Sequence, residues 1–192
     1  MDSDNSLGLP DKFIALLPGS RKQEVQRILP KMLEVVPDFR DYQFVIAAAS
    51  SLPDAIYEPF MAGSTAVRIV RNNTYPILRK ATAALVKSGT STLEAALFNV
   101  PQVVCYTGNA LSYQIAKRLV KVKYISLVNL VADRPLVCEL IQQDLNRENL
   151  RKELAKILHP ESVKTLREGY NELRMQLGAG GASERAARVI IT

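Results

Sequence analysis

The sequence predicts an α/β protein, a Rossmann-like doubly wound parallel sheet with a helical C-terminal region. Three observations carry this. Short apolar runs of strand length alternate with segments whose apolar positions recur at helical spacing. Two of the runs end in a glycine-bearing turn that opens directly into such a segment. Beyond Asn129 the helical spacing continues almost to the last residue. Repeated strand–helix units favour a parallel sheet covered on both faces.

Phe13 to Leu17 is wholly apolar and stops at Pro18-Gly19-Ser20, the pattern of a buried strand and a tight turn. From Arg21 to about Val36, the residues Val25, Ile28, Leu29, Met32, Leu33 and Val36 share one helical face, with Pro30 expected to kink it. Gln43 to Ala49 reads as the second strand, Pro53 to Met61 as a helix, and Val67 to Val70 as the third strand. A brief helix near Pro76 to Lys80 precedes the fourth strand, Ala83 to Val86. Ser88-Gly89-Thr90 then leads into a helix through about Phe98. Gln102 to Tyr106 is the fifth strand, a helix spans Asn109 to Val120, and Tyr124 to Leu127 is a candidate sixth strand. The helical remainder breaks near His159-Pro160 and at Gly178 to Gly181, where the glycines suggest a flexible interruption. The organisation expected is a polar linker over 1–12, an α/β ligand-binding domain over 13–142, and a helical region over 143–192.

A chain of 192 residues suits one such domain and buries roughly 70% of its unfolded surface, enough to need no metal or disulfide staple. The formal net charge of +6 favours anionic partners. Basic residues are spread along the chain, aromatics make up 6% and Trp is absent, so no base-stacking platform and no nucleic-acid partner are expected. Cys105 and Cys138 lack metal or redox spacing and read as buried, reduced thiols, which points to the cytoplasm. No signal peptide is recognised before the first strand, and no apolar run reaches the ~18 residues of a membrane span.

Ligands of doubly wound sheets sit outside the carboxyl ends of the strands, so the loops after strands carry the chemistry. The first is Leu16-Leu17-Pro18-Gly19-Ser20-Arg21, with Glu24 one turn into the helix. Gly19 permits close backbone approach, the helix start exposes amides that attract phosphate, and Arg21 adds a fork of donors. The structural alternative is a capping box of Ser20 with Gln23. The second is Ser88-Gly89-Thr90-Ser91-Thr92-Leu93-Glu94, with four hydroxyls near a helix start and a carboxylate able to accept from two ribose hydroxyls. Its structural alternative is a capping box of Ser91 with Glu94. Walker and G-x-G-x-x-G signatures are absent, and no ligand cluster suggests a metal. The single histidine, His159, reads as a surface or capping residue. Lys117, Arg118, Lys121 and Lys123 flank apolar positions; they form either a solvated helix face or a contact for anionic lipid heads or an acceptor phosphate.

The segment Ile14 to Arg21 with Glu24 resembles the opening of the second domain of lipid-A-disaccharide synthases. Ser88 to Glu94 is similar to that family's second signature, and Pro101-Gln102-Val103-Val104 follows in order. Ala116 to Lys121, Tyr124 to Leu130, then Glu139-Leu140 and Gln142 complete a resemblance reaching from about Phe13 to Gln142. It implies half of a two-domain GT-B glycosyltransferase, with 13–142 as the UDP-sugar-binding domain. The implied reaction is inverting transfer of 2,3-diacylglucosamine from its UDP donor to 2,3-diacylglucosamine 1-phosphate, giving the lipid A disaccharide 1-phosphate and UDP. Carried over by position, Gly19, Ser20, Arg21 and Glu24 lie at the donor, with Arg21 stabilising the leaving diphosphate. Ser88, Gly89, Thr90 and Ser91 add amides and hydroxyls, Glu94 holds the ribose, and Asn129 and Glu139 line the cleft. No cofactor and no metal are implied. Partners implied are the UDP-sugar and an N-terminal acceptor domain supplying the general base, without which this chain is expected to be inactive. An anionic surface on the inner face of the cytoplasmic membrane and a homodimer through the helical region are further candidates.

Two departures stand out. Lys87 precedes the Ser-Gly-Thr turn where a small residue is expected, and Val128 replaces a proline. Two other readings remain open: another GT-B nucleotide-sugar enzyme (an epimerase or a peptidoglycan-type transferase), and a non-catalytic nucleotide-binding or dimerisation module.

Overall fold

The computed structural model describes residues 7–61, 64–108 and 123–178. Six parallel strands form one sheet in the order β3-β2-β1-β4-β5-β6. They are β1 (Phe13–Leu17), β2 (Gln43–Ala48), β3 (Val67–Arg71), β4 (Ala83–Lys87), β5 (Gln102–Tyr106) and β6 (Cys138–Ile141). Helices α1 (Lys22–Leu33), α2 (Thr74–Lys80) and α3 (Ser91–Leu97) connect them, α4 (Leu127–Ala132) precedes β6, and α5 (Arg147–Leu158) and α6 (Pro160–Leu177) follow it.

The strands are apolar throughout because both faces of the sheet are covered. Side chains alternate across a strand, and the core divides accordingly. Ile14, Leu16, Phe44, Ile46 and Leu85 join one cluster, whereas Phe13, Ala15, Leu17, Val45 and Val86 join another. The first cluster also takes Val25, Ile28, Leu29 and Met32 of α1, together with Leu150, Leu154 and Ile157 of α5 and Leu166, Tyr170 and Leu173 of α6. The C-terminal helices therefore share the core of the sheet.

Three sequence expectations need correction. Tyr124 to Leu127 is not a strand: residues 124–126 are irregular, Ser126 caps α4, and its Oγ accepts from the Asn129 amide at 3.3 Å. The sixth strand is instead Cys138–Ile141, inside a stretch read as helical, where it pairs with β5 from Val103↔Cys138 to Tyr106↔Ile141. Four residues are too few to display a period, and an existing edge recruited them. Pro53 to Met61 forms two 3-10 turns, Asp54–Ile56 and Glu58–Phe60, rather than one α-helix. Pro59 has no N–H for an i−4 bond and its ring would meet the Ala55 carbonyl. By contrast, α1 continues through Pro30, ending at Leu33 before a 3-10 turn at Val36–Asp38. The helix expected over Asn109 to Val120 lies outside the described residues.

Strand order reverses between β1 and β4, the kind of switch point where a crevice opens at the carboxyl ends. The two strands pair with Leu17 opposite Val86, so the turn after Leu17 and the turn after Lys87 leave the sheet side by side.

Sharing one core has a measurable consequence. Leu154 is fully buried, and truncation of such a leucine costs about 2–5 kcal/mol. Leu154→Ala should shift a single urea transition to lower denaturant; a separate, early transition of the C-terminal helices with the sheet unaffected would contradict the shared core.

Candidate functional site

Gly19 adopts φ 111°, and a Cβ placed there would lie 2.5 Å from Glu24 Oε2. The positive φ is the feature that favours glycine here, since the Glu24 carboxylate is the mobile end of a side chain. The N-cap of α1 is Arg21, with extended φ −108° and ψ 139°, and not Ser20. Its backbone N–H donates to Glu24 Oε2 at 3.4 Å. Glu24 thus closes the turn, and the alternative box of Ser20 with Gln23 is not formed because the helix starts one residue later. The Arg21 side chain is 84% exposed, with Nη1 3.8 Å from Glu24 Oε1.

In the second loop Thr90, not Ser91, occupies the N-cap of α3, and it makes no side-chain cap. The box of Ser91 with Glu94 is therefore also absent, and the Glu94 carboxylate is not spent on capping. Thr92 Oγ1 donates to the Gly89 carbonyl at 2.8 Å and fixes the turn from within. Ser88 is nearly buried, and its hydroxyl donates to the Ile125 carbonyl at 2.7 Å. That proton ties the loop to the segment before α4.

The two loops meet. One cavity of about 180 Å³ is lined by Gly19, Ser20 and Glu24 from the first loop and by Lys87, Gly89, Thr90, Ser91 and Glu94 from the second, over a floor of Leu17, Ala47, Ala49 and Thr74. It adjoins a hollow of about 510 Å³ at Ser50, Ser51, Asn72 and Tyr75, which shares Ser20 and Glu94. Another, of about 570 Å³, includes Arg21, Lys22, Arg27 and Tyr106 and shares Glu24 and Lys87. Lys87 was singled out by the sequence only as a departure, yet its Nζ lies 3.0 Å from Glu24 Oε1 and joins the loops. Burial pushes the Glu24 carboxyl up, but the Lys87 hydrogen bond and charge, with the Arg21 amide, outweigh it and hold the group below the usual carboxylate range.

Asn129 and Glu139 line none of these hollows. They form a polar brace between α4 and β6. Glu139 Oε1 accepts from Ser126 N at 2.9 Å, Ser126 Oγ at 2.6 Å and Asn129 Nδ2 at 2.9 Å, while Oε2 accepts from Ile125 N at 3.0 Å. Asn129 also donates to the Val137 carbonyl and accepts from the Val137 amide, both at 2.9 Å. Ser88 connects to this brace through Ile125, so the brace supports the second loop from behind.

The remaining candidates lie elsewhere. His159 occupies the junction of α5 and α6 and makes no side-chain cap. Lys123 pairs with Asp133 at 3.6 Å on the surface; Lys117, Arg118 and Lys121 lie outside the described residues. Gly178 ends α6 with φ 78°, and the glycines after it are likewise outside. Burial pushes both thiols up, Cys138 to about 12 and Cys105 further. Among the described residues no His, Cys, Asp and Glu cluster could hold a metal, and no helix is long and apolar enough to cross a membrane.

The family model described as Lipid-A-disaccharide synthetase matches residues 3–190. The chain belongs to this family. A lipid-A-disaccharide synthase of Anaeromyxobacter dehalogenans is 40% identical over 196 residues, covering 97% of this chain and 51% of the relative. One of Geobacter metallireducens is 38% identical over 186 residues, covering 94% and 48%. The chain thus spans about half the length of the curated relatives it matches. Among solved structures, the kitacinnamycin glycosyltransferase matches with TM-score 0.58 and 17% identity, over 94% of this chain and 42% of that one. Staphylococcus aureus MnaA solved with UDP matches with TM-score 0.61 and 15% identity, over 94% and 44%. Spinosyn rhamnosyltransferase solved with thymidine diphosphate matches with TM-score 0.62 and 12% identity, over 90% and 45%. The chain therefore has the α/β fold of a GT-B glycosyltransferase half.

Two outcomes follow for this member of the lipid-A-disaccharide synthase family. Glu24 titrates lower in the folded chain than unfolded, so its stabilisation is present above the ordinary carboxylate range and is lost as pH falls through the lowered value. The stability difference between the native chain and Glu24→Gln, read from urea midpoints, should shrink from pH 7 to pH 3; a constant difference would show that the ion pair contributes nothing. Glu139→Gln places an amide NH₂ against backbone donors and should cost about 1–3 kcal/mol. An unchanged unfolding midpoint would exclude the brace.

Proposed function

We propose that the chain is the donor-binding half of an inverting glycosyltransferase that makes the lipid A disaccharide 1-phosphate. The donor is UDP-2,3-diacylglucosamine, the acceptor is 2,3-diacylglucosamine 1-phosphate, and UDP leaves. The observation that carries this reading is the convergence of Gly19–Glu24 and Lys87–Glu94 on one cavity at the strand-order reversal, in a chain of this family. Fold neighbours solved with UDP and with thymidine diphosphate support the ligand class.

In this reading the diphosphate lies in the central cavity. The Gly19–Ser20 turn and the Gly89–Ser91 segment bring backbone amides and hydroxyls to the phosphate oxygens. Arg21, exposed at the rim, swings its guanidinium onto the departing diphosphate. Glu94, shared by the central cavity and the hollow toward β2 and β3, accepts from two ribose hydroxyls. The acceptor oxygen attacks the anomeric carbon from the face opposite UDP, which inverts that centre. Charge developing on the leaving UDP is met first by the loop amides and hydroxyls already in place, the arrangement that lowers such barriers most effectively, and Arg21 adds to them. Ser88, Asn129 and Glu139 hold the second loop in register. The acceptor site and the general base belong to the half of the enzyme outside this chain, so the chain binds donor without turning it over. It works in the cytoplasm, peripherally at the inner face of the membrane where its acylated substrates reside.

Calorimetric titration of the chain with UDP tests the assignment. Binding should be measurable, and Arg21→Ala and Glu94→Gln should each weaken it by about tenfold, the value of one charge-assisted hydrogen bond. No binding at millimolar UDP by the folded chain would overturn the reading.

A further inference from the structure

The charged residues lining the central cavity are Glu24, Glu94 and Lys87. Two carboxylates alone would repel a diphosphate. Among the described residues Lys87 is the one cation lining that cavity, because Arg21 stands at the rim. We propose that Lys87 is a phosphate ligand of the donor, held in position by Glu24 at the point where the two loops meet. This deepens the donor-site reading above and rests on it.

The placement of the side chain argues for this. Lys87 ends β4, beside the strand-order reversal, so its backbone is fixed by the sheet. Its side chain is 24% exposed and turns over the second loop, with Nζ 3.8 Å from where a Cβ on Gly89 would sit. Glu24 holds the ammonium at 3.0 Å and is itself anchored by the Arg21 amide. A lysine ammonium has three donors. Among the described residues one is used on Glu24, and two remain for phosphate oxygens, so the ion pair need not break when ligand enters. Glu24 lowers the entropy lost on binding by keeping a long side chain in place. Lys87 also lines the hollow that contains Arg21 and Arg27, so it links the central cavity to the other cations at that edge. The opposing possibility is that Lys87 serves only to fasten one loop to the other.

Binding of UDP and of uridine to the 192-residue chain separates the two. Calorimetry would follow UDP, and ligand-observed NMR would follow uridine at millimolar concentration. Lys87→Met should weaken UDP binding about tenfold or more while leaving uridine binding within about twofold, and should flatten the salt dependence for UDP. Lys87→Arg, which keeps charge at a folded site, should retain most of the UDP affinity. Equal losses for UDP and uridine would assign Lys87 a purely fastening role and overturn the proposal. So would UDP affinity unchanged in Lys87→Met, while Arg21→Ala still weakens it: the donor site would stand without Lys87. Absence of UDP binding by the native chain would remove the donor site itself.

Discussion

Because β1 and β4 pair in parallel, with Leu17 opposite Val86, the chain leaves the same end of the sheet twice at neighbouring points. Neither turn alone makes a site. Gly19 brings backbone close to the Glu24 carboxylate, and Gly89 lies beneath the Lys87 ammonium at ordinary contact distance. Side by side they enclose a hollow with amides and hydroxyls around it. The apolar content of the strands serves this pairing: Ile14, Leu16 and Leu85 secure one face, while Ala15, Leu17 and Val86 secure the other. A one-residue slip in register would exchange the two faces and separate the turns.

The electrostatics of the hollow are less simple than those of a basic anion pocket. Its lining carries two carboxylates and one ammonium. The overall charge of +6 attracts anions at long range, but it does not tell where they dock. Each carboxylate has a separate reason to be present. Glu24 closes the turn at the start of α1 and holds Lys87, whereas Glu94 faces the wider hollow. A nucleoside diphosphate bears hydroxyl donors as well as phosphate charge, so a lining of mixed sign matches it better than a purely cationic one would.

Much of this was legible in the sequence, because both turns carry their chemistry locally. Five strands and the two glycine-bearing loops show in the run of apolar residues and in the turn residues that end them. What was not legible depends on contacts distant in the chain. Cys138–Ile141 became a strand only because β5 offered an open edge. Ser20 and Ser91 looked like caps, but helix starts are decided by a single residue, and Arg21 and Thr90 took those positions. Asn129 and Glu139 are polar residues in a motif and invite a ligand role. Their surroundings instead supply Ser126, Ile125 and Val137 as partners. Lys87 was noticed for being unusual, and its meaning needed the neighbouring strand.

Among the described residues, the layers over the sheet are unequal. One face is buried beneath α1 and the long C-terminal helices, whereas the smaller cluster draws its helical side chains from α2 and α3, each seven residues long. Short helices over a small core open locally at lower free energy than the rest of a fold. Thr90, Ser91 and Glu94 ride on or beside α3, so anything that grips them also suppresses that local opening. Amide exchange in α3 would then slow when the cavity fills, and the sheet beneath, already closed, would hardly respond. Among the described residues, α3 thus doubles as a reporter of occupancy.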